Sequence, residues 1–286
     1  MLLHALHASK DGYDTVIISA EDTDILVISL GFNDDISAAM YQKCGTLNRT
    51  RFIDISKLGE SLGVNLCNAL VGLHAFTGCD TVSAFSGRGK ITALKLLKSN
   101  RIFQEAFTAL GQSWEVSEDL FDSIQRFTCL MYLSSTSTDK VNQLRYELFC
   151  VKRGEVESSQ LPPCRDSLFM HVLRANYQAA IWRRGLQSPP IIPSPDGHGW
   201  RTNSGNGLAI EWMRGSPAPS AVLELLSCRC SRRCKLPDCQ CLSNGLKCTD
   251  MCKLQTCTNQ KVDDEEEVIE PIYEDSETSD DDNPEY

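Results

Sequence analysis

Three carboxylates and a glycine hairpin carry the first chemistry legible in this chain. Val16 to Ser19 is a short β-branched run that reads as a buried strand, and Glu21, Asp22 and Asp24 follow it at once. In open α/β sheets, ligands bind beyond the carboxyl ends of strands. Asp-x-Asp at such an end can offer two oxygens to one hard divalent ion, Mg2+ or Mn2+, with water completing the shell. Another carboxylate, Asp80, closes an apolar helix-like stretch from Leu70 to Thr77. Gly87-Arg88-Gly89-Lys90 comes next, ahead of a helical run with apolar residues at Ile91, Leu94, Leu96 and Leu97. The plainer reading of the same carboxylates is capping, Asp22 of one helix and Asp80 of the next turn, without metal.

The second set is made of thiols. Eight of the 14 cysteines fall in one short segment: Cys228, Cys230, Cys234, Cys239, Cys241, Cys248, Cys252 and Cys257. Thiolates are soft ligands that suit Zn2+ in tetrahedral sites. The segment has almost no apolar residues for a core, so metal binding would have to drive its folding. A disulfide knot would need an oxidising compartment, which nothing else indicates. The other six cysteines read as ordinary buried thiols.

The elements that must position these groups follow from periodicity. Leu2 to Lys10 reads as helix, Val16 to Ala20 as strand, and Asp22 to Leu30 as either. Arg51 to Asp54 suggests another short strand. Ile55 to Leu62, Leu66 to Thr77, Ile91 to Lys98, Ile102 to Leu110 and Leu120 to Leu133 have helical spacing. Strands alternating with helices early, then helices alone, predict a layered α/β domain with a helical extension. Val141 to Val151 and Asp166 to Arg184 continue as helices across the Leu161-Pro162-Pro163 break. In the second, His171, Arg174, Tyr177 and Trp182 share roughly one face. That face is either an interaction or nucleic-acid surface, or a set of core anchors with Arg174 paired to a neighbouring acid. Residues 187–227 are rich in proline and glycine and read as an extended connection. Within them Leu208 to Trp212 suggests an edge strand and Ala221 to Leu226 a short helix.

Charge divides the chain. The net charge is −10, but Asp263 to Tyr286 holds 13 Asp and Glu and no Lys or Arg, leaving a balance of +3 elsewhere. Such a tail should be disordered, serving either as a solubiliser or as a mimic of nucleic acid that competes for the basic segment beside it. That segment, Cys228 to Lys261, carries +5, with Arg229, Arg232, Arg233 and Lys235 lying between the thiols. These bases either balance the charge of an anionic cluster or contact a DNA backbone. No apolar run approaches the ~20 residues of a membrane helix, and no signal peptide opens the chain. A soluble intracellular protein without a membrane partner is expected.

Glu21-Asp22-Thr23-Asp24, Gly78-Cys79-Asp80 and Gly87-Arg88-Gly89-Lys90, in that order, resemble the flap-endonuclease/PIN-like nuclease superfamily. The resemblance covers roughly the first 110 residues. It implies a PIN-like three-layer α/β/α core and a catalytic site in which Asp22, Asp24 and Asp80 bind Mg2+ or Mn2+. It also implies that Gly87, Arg88, Gly89 and Lys90 hold a nucleic-acid backbone. The superfamily has further carboxylates upstream, and no acidic residue precedes Asp11. A truncated member lacking its first strand, with an incomplete metal site, is therefore expected. The cysteine spacing resembles the CXC domain of tesmin-type and male-specific-lethal proteins, especially in the stretch Cys239 to Cys252. That domain uses nine cysteines to hold three Zn2+ and binds DNA. Here Leu254 stands where the ninth thiol would be, so two to three Zn2+ are expected. The order of Leu-Pro-Pro, the His171 to Trp182 helix, His198-Gly199-Trp200 and the cysteine cluster is similar to a group of animal proteins associated with transposable elements. These resemblances imply five regions: a PIN-like domain over 1–115, a helical extension over 116–186, a connection over 187–227, a zinc module over 228–260 and an acidic tail over 261–286. They imply a DNA-binding, nuclear protein of nuclease type, or a non-catalytic DNA-binding scaffold on the same fold.

Overall fold

A computed structural model describes residues 1–46, 49–151, 157–203, 207–216, 227–248, 252–254 and 257–259. The helix expected at Ala221 to Leu226 and the acidic tail lie outside these residues. The chain divides into two units, Met1–Gly215 and Ser216–Tyr286.

The first unit opens with α1 (Leu2–Lys10), β1 (Thr15–Ser19), α2 (Thr23–Gly31), β2 (Ala39–Cys44) and β3 (Arg51–Asp54). The ambiguous stretch after β1 is helical, and Asp22 starts it by accepting the Asp24 backbone N–H at 2.8 Å. β1 and β2 are parallel, joined through α2, and β3 returns antiparallel to β2. Alternation sends Ile18 of β1 and Met40 of β2 inward, onto a core with Leu2, Ile28, Leu30 and Ile55. The opposite face carries Ile17, 57% exposed, and Phe52, 55% exposed. Helices therefore cover one face of this sheet among the described residues, which makes two layers where three were expected.

Helices follow: α3 (Ile55–Leu62), α4 (Val64–Thr77), α5 (Lys90–Ser99), α6 (Arg101–Ala109), α7 (Glu118–Tyr132), α8 (Val141–Val151) and α9 (Arg165–Arg183). α4 is apolar nearly all round because it is the wall between two cores. Cys67 faces the sheet side, while Leu66, Leu73 and Phe76 face a larger core built from α5 to α9. Phe76, Phe103, Phe107 and Phe127 pack there ring to ring, with centroids 4.7 to 6.2 Å apart. The helices of 116–186 thus close the same unit as those of the first 115 residues.

The polar face of α9 is turned largely inward. Tyr177 is buried and its hydroxyl donates to the Pro193 carbonyl at 2.7 Å. Arg174 is 2% exposed and donates to the carbonyls of Gly199 and Glu211, not to an acid. Asp166, at the start of α9, accepts the backbone N–H groups of Arg214 and Gly215. Three side chains of one helix therefore tie down the proline-rich segment, which pairs β4 (Trp200–Thr202) with β5 (Leu208–Ile210). No helix among the described residues is long and apolar enough to cross a membrane.

Candidate functional site

The acidic site is assembled at two chain reversals. β1 ends at Ser19, and buried Gln42 on β2 holds the next turn by donating to the carbonyls of Ala20 and Asp22. This places Asp22 and Asp24 at the start of α2. α4 ends at Gly78, whose φ of +116° suits glycine and whose missing Cβ leaves room for Ala84. Cys79 and Val82 then exchange backbone hydrogen bonds at 2.9 and 3.2 Å, and Asp80 stands on the tight turn between them. Carboxylate oxygens of Asp22, Asp24 and Asp80 lie within 4.8 Å of one another. Glu21 does not join them: its carboxylate accepts the Gly45 N–H at 2.7 Å and so secures the turn after β2.

Two further residues complete the arrangement. His74 on α4 is 5% exposed, and its Nε2 lies 2.6 Å from Asp24 Oδ1. Its Nδ1 lies 3.0 Å from Lys90 Nζ. An ammonium can only donate, so Nδ1 accepts and the imidazole N–H sits on Nε2, donating to Asp24. Burial holds the His74 pKa below its ordinary value; the bond to Asp24 opposes this and the Lys90 charge adds to it. The ring is thus held neutral, with a carboxylate on one side and an ammonium on the other. His74 was not among the sequence candidates. The signal for it was a basic residue inside the apolar run Val71 to Phe76, which needs a buried partner.

The glycine hairpin divides its roles. Gly87 has φ +64°, and a Cβ built at Gly87 or Gly89 would meet nothing within 4 Å. The hairpin backbone is therefore open to solvent. Gly89 starts α5 without a side-chain cap. Arg88 turns back: Nη1 donates to the Gly87 carbonyl at 3.2 Å, and the guanidinium stacks 4.8 Å from the Tyr132 ring. Lys90 reaches His74, as above, rather than standing free at the hairpin tip.

In the second unit all eight cysteines are free thiols, and they form one cluster. Three overlapping sets each bring sulfurs within 4.8 Å: Cys228, Cys230, Cys234 and Cys239; Cys228, Cys239, Cys241 and Cys248; and Cys234, Cys248 and Cys257. Cys252 lies 3.6 Å from Cys241. Sulfur separations at Cys228–Cys234, Cys234–Cys248 and Cys228–Cys248 are 3.7, 3.7 and 3.9 Å. A tetrahedron with Zn–S bonds of about 2.3 Å has edges of about 3.8 Å, whereas a disulfide bond measures about 2.05 Å. The cluster could therefore hold a metal such as zinc. Burial and the neighbouring Cys252 push the Cys241 thiol up to about 12. Asn259 donates to Cys248 Sγ at 3.3 Å, a supporting contact that the cysteine spacing alone did not reveal. Short helix α10 (Gln240–Ser243) carries Cys241. Arg229, Arg232, Arg233 and Lys235 are all exposed and, with Asp238, line one concavity of about 610 Å3.

Comparisons of the chain with protein-family models, with curated proteins and with solved structures gave no match.

Proposed function

We propose that this protein binds DNA through its cysteine-rich unit and acts on DNA phosphodiesters at the Asp22, Asp24 and Asp80 site, as the likeness to PIN-like nucleases implies. The observation that carries this reading is the convergence of the three carboxylates within 4.8 Å of one another. Three hard oxygen donors suit Mg2+ or Mn2+. An octahedral shell with bonds of about 2.1 Å has adjacent oxygens about 3.0 Å apart and opposite ones about 4.2 Å apart, so ångström-scale side-chain movements would close the three groups on one ion. A bound ion there would polarise a phosphoryl oxygen as a Lewis acid. The protein's own groups do the rest. His74 fixes Asp24 through its Nε2–H, and Lys90 brings positive charge against that pair. The open backbone at Gly87 and Gly89 lets a phosphate approach the uncapped start of α5, where N–H groups favour an anion.

Eight thiolates would hold two to three Zn2+, with Cys228, Cys234, Cys239 and Cys248 each common to two of the three ligand sets. The four exposed bases beside the cluster supply phosphate contacts that are independent of sequence. This assignment places the protein in the nucleus and fits an origin in a transposable element.

A second reading, DNA binding without cleavage, is favoured by one observation. Glu21 is committed to Gly45, and three carboxylates supply one ion better than the two used to clamp attacking and leaving oxygens. One experiment separates them. Mn2+-dependent cutting of branched or single-stranded DNA should be lost in Asp24→Asn and in Asp80→Asn. Activity surviving both would remove the nuclease reading. Absence of cutting in the parent, with DNA binding intact, would establish the scaffold.

A further inference from the structure

A cavity on the first unit, bordered by the loop between Asp80 and the Gly87 hairpin, carries positive charge that no carboxylate balances among the described residues. It is about 270 Å3 in volume and lies between α7, α8, α9 and the loop of residues 83–86. Arg174 lines it at 2% exposure. The guanidinium spends one nitrogen, Nη1, on two backbone carbonyls, and burial is the sole cause lowering its pKa. Arg145 also lines the cavity, and its one hydrogen bond is to the Pro162 carbonyl. Neither arginine is in an ion pair among the described residues, and no carboxylate lines the cavity. Burying a cation without an anion is costly. Backbone carbonyls satisfy only part of the Arg174 guanidinium, so an anion reaching its free edge would be favoured.

The remaining walls say what kind of anion fits. Phe85, Tyr132 and Trp212 present aromatic surface, and Trp212 is 61% exposed beside Arg174, whose guanidinium lies 5.5 Å from its ring. Ser83, Ser86, Ser159 and Ser167 also line it, with the Ser159 hydroxyl donating to Glu157 and the Ser167 hydroxyl accepting from the Cys164 thiol. Guanidinium and hydroxyl donors together match a phosphate, and aromatic walls match a flat ring stacked against them. The volume lies just below the usual range for ligand pockets, too large for phosphate alone and too small for a dinucleotide.

We infer that this cavity binds one nucleoside monophosphate, its phosphate on Arg145 and Arg174 and its base against Tyr132 and Trp212. The ligand is either a free nucleotide or the phosphorylated end of a strand; the chemistry of recognition is the same. The inference stands independently of cleavage at the acidic site.

Isothermal titration of the full-length, zinc-loaded protein tests it, with dAMP, deoxyadenosine and inorganic phosphate as probes. dAMP should bind at least about tenfold more tightly than either fragment. Arg145→Gln should weaken dAMP by about tenfold or more and leave deoxyadenosine little changed. Trp212→Ala, at an exposed position, should weaken dAMP and deoxyadenosine together. A 5′-phosphorylated hexathymidylate that competes with dAMP, where the unphosphorylated one does not, identifies a strand end; failure of both to compete identifies a free nucleotide. Undiminished dAMP binding in both Arg145→Gln and Trp212→Ala would overturn the proposal, as would inorganic phosphate binding as tightly as dAMP.

Discussion

Removing the imidazole of His74 tests the acidic site without touching a carboxylate. The ring is 5% exposed, donates to Asp24 at 2.6 Å and accepts from Lys90 at 3.0 Å. A hydrogen bond to a charged group contributes about 1.5–3 kcal/mol. Where that bond only orients Asp24, its loss should lower ion affinity by about 10- to 100-fold, the range known for outer-shell partners of metal ligands. His74→Ala should therefore weaken Mn2+ binding by one to two orders of magnitude. It should also lower thermal stability, because the ring packs 5.8 Å from Trp182. His74→Gln separates these effects. Its amide N–H can replace Nε2–H toward Asp24, while nothing replaces the acceptor for Lys90. Mn2+ affinity in His74→Gln should stay within about threefold of the parent. The assay is the electron paramagnetic resonance of free Mn2+ at fixed pH, on protein whose thiols are already loaded with Zn2+. Equal Mn2+ affinity in the parent and His74→Ala, with only the melting temperature changed, would show that His74 serves packing alone. Equal affinity in the parent and Asp24→Asn would refute the site itself.

Three other outcomes are expected. Purified protein should carry about two to three Zn2+ by elemental analysis, and Leu254→Cys should raise the stoichiometry or affinity; a chain that keeps its cysteine-rich unit folded with a chelator present would contradict this. His171 is buried, its Nε2 lies 2.7 Å from the Phe76 carbonyl, and burial lowers its pKa to about 4. The unfolded imidazole protonates near 6.5, so the unfolded state binds more protons between about pH 6.5 and 4. Stability should fall by about 3 kcal/mol across that window as pH drops. Urea unfolding at several pH values should show this slope in the parent and not in His171→Gln. Removing the residues after Lys261 should strengthen DNA binding most at low salt; equal affinity at every salt concentration would leave the tail a solubilising role only.

Local chemistry made much of this protein readable without coordinates. The β-branched run at Val16 to Ser19 and the 3.6-residue periodicities of α3, α4, α8 and α9 depend on neighbours in sequence, and they formed where expected. The cysteine segment was equally legible, because eight thiols so close in sequence, with so few apolar residues among them, come together as a set that could hold a metal. Other features depended on residues distant in sequence. β2 carries the mixed run Ala39 to Cys44, which becomes a strand through pairing with β1 and β3. Whether the sheet had helices on both faces could not be read from β1, since Ile17 is as apolar as Ile18 and only packing left it exposed. The polar face of α9 read mainly as core anchors with Arg174 paired to an acid, and only the fold showed that Pro193, Gly199 and Glu211 supply carbonyls to it instead. Lys90 read as a phosphate contact in its hairpin, and that its amine also donates to a histidine 16 residues away was not legible there. The acidic site shows the same division. Sequence determined that Asp22 and Asp24 leave a strand end together and that Asp80 closes a helix. That the three oxygens meet, that Glu21 turns away to Gly45, and that His74 stands behind Asp24 were decided by how α4 packs between the two cores. Hydrogen-bond geometry is set by positions in space, and those positions exist only once the chain has closed on itself.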